Sequence, residues 1–194
     1  SSNNKIKETD LNLNNEIYPN YFGGAWMKIF SEKMSEFYSK LGRNKYTIIR
    51  HSNIYGPHDK YDLDKSHVFG ATITKVLTAK DKVEVWGTGN EIRDFLYAED
   101  LVNFVKNAIT KQKTQYEIYN CGSGVPIKVK DLVKKIVYIS GKKIKINYNK
   151  AKPSIPFNMY LNISKAKKEL GWSPKTNIDL GIEKTISWWH ENIK

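Results

Sequence analysis

Hydrophobic period changes regularly along this chain, and that alternation restricts the folds open to it. Counting from Trp26, apolar residues fall at Ile29, Phe30, Met34, Phe37, Tyr38 and Leu41. Steps of three and four give one apolar stripe, so 25–41 is predicted as a helix ending before Gly42. KYTIIRHSNIYGP (45–57) follows, a β-branched run closed by Gly-Pro, which predicts a strand entering a loop. The same succession continues with a helix over 68–79 and strands over 82–86 and 92–97, separated by a GTGNE hairpin turn. A helix over 100–110 comes next, capped by Glu99 or Asp100. Then come a strand over 116–121, a helix over 127–140 and a half-exposed strand over 143–148. A short helix over 164–170 and a last helix over 178–192, beginning near Asp179, complete the pattern. Residues 1–20 read as loop. Strands alternating with helices predict an α/β fold.

Composition narrows the functional classes. With 194 residues, 40% of them hydrophobic, the chain can bury a real core. No apolar run approaches the ~18 residues of a membrane span, and SSNNKIKETD at the start has no apolar signal region. One cysteine, Cys121, excludes a disulfide framework and a cysteine zinc site, and a reducing cytoplasm is the simplest compartment. The net charge of +12 raises nucleic-acid binding, but only three of the 32 basic residues are arginine, at 43, 50 and 93. Arginine is the residue suited to bidentate phosphate and base recognition, so a solvated lysine surface is expected and no specific nucleic-acid partner. Histidines 51, 58, 67 and 190 lack metal-ligand spacing, and no metal is expected.

Two glycine clusters resemble phosphate loops without completing one. GTGNEI (87–92) is followed by a strand-like run and so offers no helix N-terminus. CGSGVPIKVKDL (121–132) has the order strand, glycines, helix, but lacks the third glycine and carries Pro126; a structural turn is expected. His67 closes a polar loop and opens a helix, where pocket residues commonly sit. Arg93, on an otherwise apolar strand, needs an anionic partner: an internal carboxylate such as Asp94 or Asp100, or a ligand phosphate. Lys28 lies off its helix's stripe, and is either an ordinary solvated lysine or one member of an active site.

NIYGPHDKYDLDKSHV (53–68) and VEVWGTGNEIRDFLYAEDLV (83–102) together resemble the extended short-chain dehydrogenase/reductases, the NAD-dependent epimerase/dehydratase family, that act on nucleotide sugars. Within it the GDP-L-fucose synthase group is most similar. YNCGSG (119–124), KVKDLVKKI (128–136) and SKAKKELGWSPKTNIDLGIEKTISWW (164–189) extend the resemblance, in order, through the family's C-terminal half.

The resemblance implies the C-terminal part of a modified Rossmann domain, a doubly wound parallel sheet, plus a smaller α/β domain for the nucleotide sugar. Residues 1–54 and 95–122 would belong to the dinucleotide-binding domain, with its N-terminal half and glycine-rich fingerprint absent from this sequence. Residues 55–94 and 123–194 would form the sugar-binding domain. NADP or NAD is the implied cofactor, a GDP-sugar the implied substrate, and a homodimer the implied assembly, through the helix that bears Lys28. The implied reaction is hydride transfer at sugar C4. Ser2 matches a catalytic serine, and Lys28 the lysine of the Tyr-x-x-x-Lys motif, which holds the cofactor ribose. His67 matches an acid/base histidine, and Asn53 a residue near both substrate and nicotinamide. Lys75, Trp86 and Arg93 match substrate-binding positions, Arg93 taking the diphosphate.

The departures bear on activity. Gly24 stands where the family has its proton-donating tyrosine. Tyr21 is the nearest tyrosine, but seven residues of helix separate it from Lys28 by ~10 Å along the axis, unless a non-helical start around Gly23–Gly24 brings it closer. Asn3 replaces the epimerisation cysteine, and KPSIPFNMY (152–160) lacks the family's proline-arginine pair. An impaired enzyme is therefore expected, or a non-catalytic relative that binds nucleotide sugars or scaffolds a partner.

Overall fold

The structure, a computed structural model, describes residues 4–152 and 158–193. Along the chain run β1 (Asn4–Ile6), α1 (Phe22–Ser39), β2 (Tyr46–His51), β3 (Asn53–Tyr55), α2 (Val68–Thr78) and β4 (Lys82–Trp86). Next come β5 (Ile92–Arg93), β6 (Phe95–Tyr97), α3 (Ala98–Lys111), β7 (Tyr116–Cys121), β8 (Ile127–Lys128) and α4 (Val129–Ile139). β9 (Lys145–Asn149), β10 (Met159–Leu161), α5 (Ser164–Leu170) and α6 (Ile178–Asn192) follow. The ladders β1–β10, β2–β7, β3–β6 and β4–β9 are parallel, and β5–β8 is antiparallel. This is the α/β architecture that the alternation predicts. No described helix is long and apolar enough to cross a membrane.

Several local expectations need correction. The 45–57 strand is two strands, because the chain leaves the ladder with β7 at Ser52 and starts a new one with β6 at Asn53. The 92–97 run is likewise split, at Asp94. GTGNE is a turn but no hairpin: β4 pairs with β9, and the turn's carbonyls at Gly89 and Glu91 accept from Lys130 N and Val129 N at the start of α4. β1 and β10 lie where the sequence shows no period, since three-residue strands are too short to display one. Asp100 does not cap its own helix. Buried, it accepts from Lys175 N and Thr176 N, both at 3.0 Å, and so holds the turn before α6. α6 begins where expected, with the Asn177 side chain as its cap.

β6 explains how one short strand organises the molecule. All three of its residues are buried, and their alternation sends Phe95 and Tyr97 to one face and Leu96 to the other. Phe95 and Tyr97 join Tyr55, Phe69, Ile73, Leu132, Ile136, Ile182 and Trp189 in a core under α2, α4 and α6. Leu96 joins Phe104, Tyr119, Cys121, Leu170 and Trp172 beneath α3 and α5. At Gly181 a Cβ would sit 1.9 Å from the Tyr55 hydroxyl, so glycine is what lets α6 close over that ring.

α1 half-buries a polar seam together with Ile29 and Met34 of its apolar stripe. Arg50 on β2 makes a bidentate pair with Glu32, at 2.9 and 2.7 Å, and donates to the Glu8 carbonyl at 2.8 Å. Trp26, Phe30, Phe37 and Leu41 are left exposed, Phe30 at 65%.

Candidate functional site

A cleft of about 490 Å³ opens beyond the carboxyl end of β2, the end of a parallel strand where α/β folds commonly take ligands. Tyr21, Gly24, Ala25 and Lys28 from the start of α1 form one wall. His51, Ser52 and Asn53 supply the floor, while Arg93 and Met159–Leu161 close the other side.

The chain reversal between β2 and β3 fixes the floor. Asn53 donates its backbone N–H (3.1 Å) and its side-chain amide (2.9 Å) to the Asp94 carbonyl, which leaves its amide oxygen as an acceptor. Ser52 N donates to Cys121 O at 2.9 Å, but the buried Ser52 hydroxyl has no hydrogen-bond partner among the described residues. His51 places Nδ1 2.8 Å from the Ser52 carbonyl, which makes that nitrogen a donor.

Asp94 supports the other side. Its buried carboxylate accepts from Ser123 N (2.7 Å), Ser123 Oγ (2.6 Å), Gly124 N (3.2 Å) and Leu161 N (3.0 Å). A Cβ at Gly122 would lie 2.6 Å from Asp94 Oδ2. The glycines of CGSG thus serve a buried carboxylate and β10, in keeping with the structural turn expected of them.

Arg93 beside it is half-buried. Burial pushes its guanidinium below the usual range, opposed by the negative charge of Glu91 and of Tyr21 in ionised form. It donates to its neighbour's carbonyl at Ile92, 2.9 Å away. A cation losing solvent in this way favours an anionic ligand. Lys28 is exposed at the cleft and makes no ion pair among the described residues.

Of the residues singled out by sequence, Lys28, Asn53 and Arg93 meet in this cleft, together with Gly24. His67, Lys75 and Trp86 do not line it. His67 is exposed, at the position preceding α2. Lys75 extends from α2 over the half-exposed Trp86 ring at the end of β4, its Nζ 5.1 Å from the ring centroid. Lys152 approaches the same ring at 5.5 Å, giving a separate cationic and aromatic group. Ser2 lies outside the described residues, as does Asn3. Sequence reading missed Tyr21, His51, Ser52 and Tyr160 as cleft residues. His51 carried a usable signal, its place at the C-terminal end of a predicted strand. Tyr21 stands immediately before α1, with φ −109° and ψ 1°, and the chain from Phe22 to Lys28 is helical, so the start around Gly23–Gly24 is regular helix and the spacing from Lys28 holds; Tyr21 nevertheless lines the cleft.

Comparison with known proteins adds to this geometry. The sequence profile of the NAD dependent epimerase/dehydratase family matches residues 12–122. A GDP-L-colitose synthase of Yersinia pseudotuberculosis is 33% identical over 185 residues, covering 93% of this chain and 60% of that protein. A GDP-L-fucose synthase of Sinorhizobium fredii is 33% identical over 192 residues, 97% of this chain and 60% of that one. The chain therefore spans about 60% of the length of these relatives. Among solved structures, UDP-glucose 4-epimerase of Thermotoga maritima with UDP-glucose superposes with a TM-score of 0.82 at 24% identity, over 97% of this chain and 58% of that one. UDP-glucuronic acid 4-epimerase of Bacillus cereus in complex with NAD gives 0.80 at 25%, over 100% and 58%.

Proposed function

The chain belongs to the NAD dependent epimerase/dehydratase family, and from that premise we propose that its protein moves hydride between a nicotinamide cofactor and C4 of a nucleotide-linked sugar. It is read as an epimerase or reductase similar to GDP-L-fucose synthase, with a GDP-sugar as substrate and NADP or NAD as cofactor. The observation that carries this reading is the meeting of Lys28, Asn53 and Arg93 in one cleft, from an α1 turn and two separate strand ends.

The residues present fit such a pair of ligands. Asn53 brings an amide oxygen to the cleft and Lys28 an ammonium group. These match the hydroxyls of a ribose and the carboxamide of a nicotinamide, which when bound supplies or accepts the hydride. Arg93 pairs with the diphosphate, a planar donor against an oxyanion. Trp86 with Lys75 and Lys152 forms the surface for the nucleotide's base and charge. An acid/base role for His67, exposed ahead of α2, and a catalytic role for Ser2, outside the described residues, rest on the family resemblance alone. Residues 1–54 and 95–122 form the cofactor side of the protein and 55–94 and 123–194 the sugar side. Two copies associate through the exposed stripe of α1.

Gly24 favours a second reading, a relative that binds nucleotide sugars or scaffolds a partner without turnover, since glycine has no proton to give. One experiment separates the two. The protein is incubated with GDP-L-fucose and with UDP-glucose, each with nicotinamide cofactor deuterated at the transferring position, and deuterium at sugar C4 is followed by mass spectrometry. Deuterium incorporation supports the enzyme, and tight sugar binding without incorporation supports the binder. Failure to bind either nucleotide sugar sinks both.

A further inference from the structure

We propose that Tyr21 replaces the missing helix tyrosine as the proton donor to the C4 oxygen of the sugar. The assignment rests on the nucleotide-sugar reading above and identifies the group that reading leaves vacant.

Three observations converge on Tyr21. Gly24 removes a side chain from the cleft wall, and a Cβ built there meets no heavy atom within 4 Å, so space is open beside Lys28. Tyr21 lines the same cleft as Gly24 and Lys28. It closes a short 3-10 turn, Pro19–Tyr21, its N–H bonded to Tyr18 O at 2.8 Å, and stands directly before the first residue of α1. Arg93 lines the same cleft and supplies one cation. Lys28 supplies a second cation in the cleft.

The other proton-bearing groups there are less suited. The His51 Nδ1 proton is already directed at the Ser52 carbonyl. A serine hydroxyl is too weak an acid to act alone near neutral pH. Tyr160 lies across the cleft on β10, and the experiment below separates it from Tyr21.

In the reducing direction the C4 carbonyl carbon gains a hydride from the reduced nicotinamide, which is thereby oxidised. The carbonyl π pair moves onto oxygen as the C–H bond forms, and that oxygen takes the Tyr21 Oη proton. Tyr21 is left as a phenolate whose charge Lys28 and Arg93 balance, and it regains its proton from water. Oxidation of the alcohol runs through the same groups in reverse.

The test uses the whole protein and the variants Tyr21→Phe, Tyr160→Phe and Tyr21→Phe/Gly24→Tyr. Tyr21→Phe is expected to lower kcat by at least ~100-fold, the scale of a lost general acid. KM should stay within ~3-fold, because the hydroxyl acts in the transition state. Adding Gly24→Tyr to Tyr21→Phe should recover at least ~10-fold of that loss. A readout independent of turnover is the ring resonance of Tyr21, assigned by its absence in Tyr21→Phe, which should move when GDP-L-fucose or UDP-glucose is titrated in. The proposal is overturned if Tyr21→Phe keeps its kcat, if the large loss belongs to Tyr160→Phe instead, or if the protein is inert until Gly24→Tyr is introduced. A bound nucleotide sugar that leaves the Tyr21 resonance unmoved overturns the Tyr21 assignment alone. Binding of neither sugar overturns the nucleotide-sugar reading and this assignment together.

Discussion

Asn53 and Asp94 are joined by a single carbonyl: the Asp94 oxygen accepts both the backbone N–H of Asn53, at 3.1 Å, and its side-chain amide, at 2.9 Å. The cleft floor is therefore locked to a residue whose carboxylate, on the opposite side, organises the 123–124 turn and the N–H of Leu161. Cleft floor and cleft wall share one anchor.

Removing that anchor should affect stability and binding together. Asp94→Ala leaves Ser123 N, Gly124 N and Leu161 N without their acceptor, and each buried donor so orphaned costs about 1–3 kcal/mol, less where water enters. A total loss of ~3–5 kcal/mol is expected in urea unfolding, the scale for breaking a buried charged network. Asp94→Asn keeps one acceptor oxygen and should lose about half as much. Equal stability of Asp94→Ala and wild type would mean that the carboxylate is replaced by solvent and anchors nothing.

Arg93 and Trp86 should separate in their effects. Arg93→Ala is expected to weaken a GDP-sugar by ~10–100-fold in titration calorimetry, since a charge-assisted pair with an anion is worth about 1.5–3 kcal/mol. That loss should shrink as salt is raised and screens the cation. Trp86→Ala should weaken binding less steeply with salt, because an aromatic face contributes by stacking. With the ring 48% exposed, stability should change by under ~1 kcal/mol. A salt-independent Arg93→Ala effect would remove Arg93 from the diphosphate.

How far the sequence reveals this site depends on the scale of each feature. β4, β7, α5 and α6 were legible to the residue, because their apolar periods run for several residues and end at turn signals. β1, β8 and β10 were not, since strands of two or three residues carry no period and form only when distant partners meet. Lys28, Asn53 and Arg93 were legible through motif resemblance, and their convergence required the fold. Asp94 and Asp100 read as helix caps or ion-pair partners from local spacing, while their acceptors serve turns 29 or more residues away. Tyr21 stands directly before α1 at the helical spacing the sequence suggests, and only the fold shows that it lines the cleft.

The exposed stripe on α1 predicts self-association. Phe30 is 65% and Phe37 58% exposed, with Trp26 on the same side of the helix by its spacing. A contiguous apolar strip of this kind marks an interaction surface. Phe30→Glu with Phe37→Lys should shift sedimentation from dimer to monomer, weakening association by ~100-fold or more, about 1.5 kcal/mol for each ring removed. Thermal unfolding at low protein concentration should change little. A wild-type protein that sediments as a monomer at every concentration would remove the dimer.

Alkaline pH should destabilise the fold in a way that one substitution can isolate. Burial, reinforced by the charges of Asp94 and Asp100, pushes the Cys121 thiol well above its ordinary range. Tyr55 and Tyr61 are pushed up too, burial again being the main cause. The folded state therefore holds these protons at pH values where the unfolded chain releases them, near about 8.5 for a thiol and about 10 for a phenol. Their neutral burial contributes fully below those values and is lost as pH rises above them, because the unfolded state then binds fewer protons. Between about pH 8.5 and 10 the thiol dominates, and stability should fall with a slope approaching ~1.4 kcal/mol per pH unit. Cys121→Ala should start lower at neutral pH, through the small cavity it leaves, and then stay flat until the tyrosines titrate. Urea midpoints measured across that interval for the two proteins provide the check. Parallel slopes would show that Cys121 is not the group responsible.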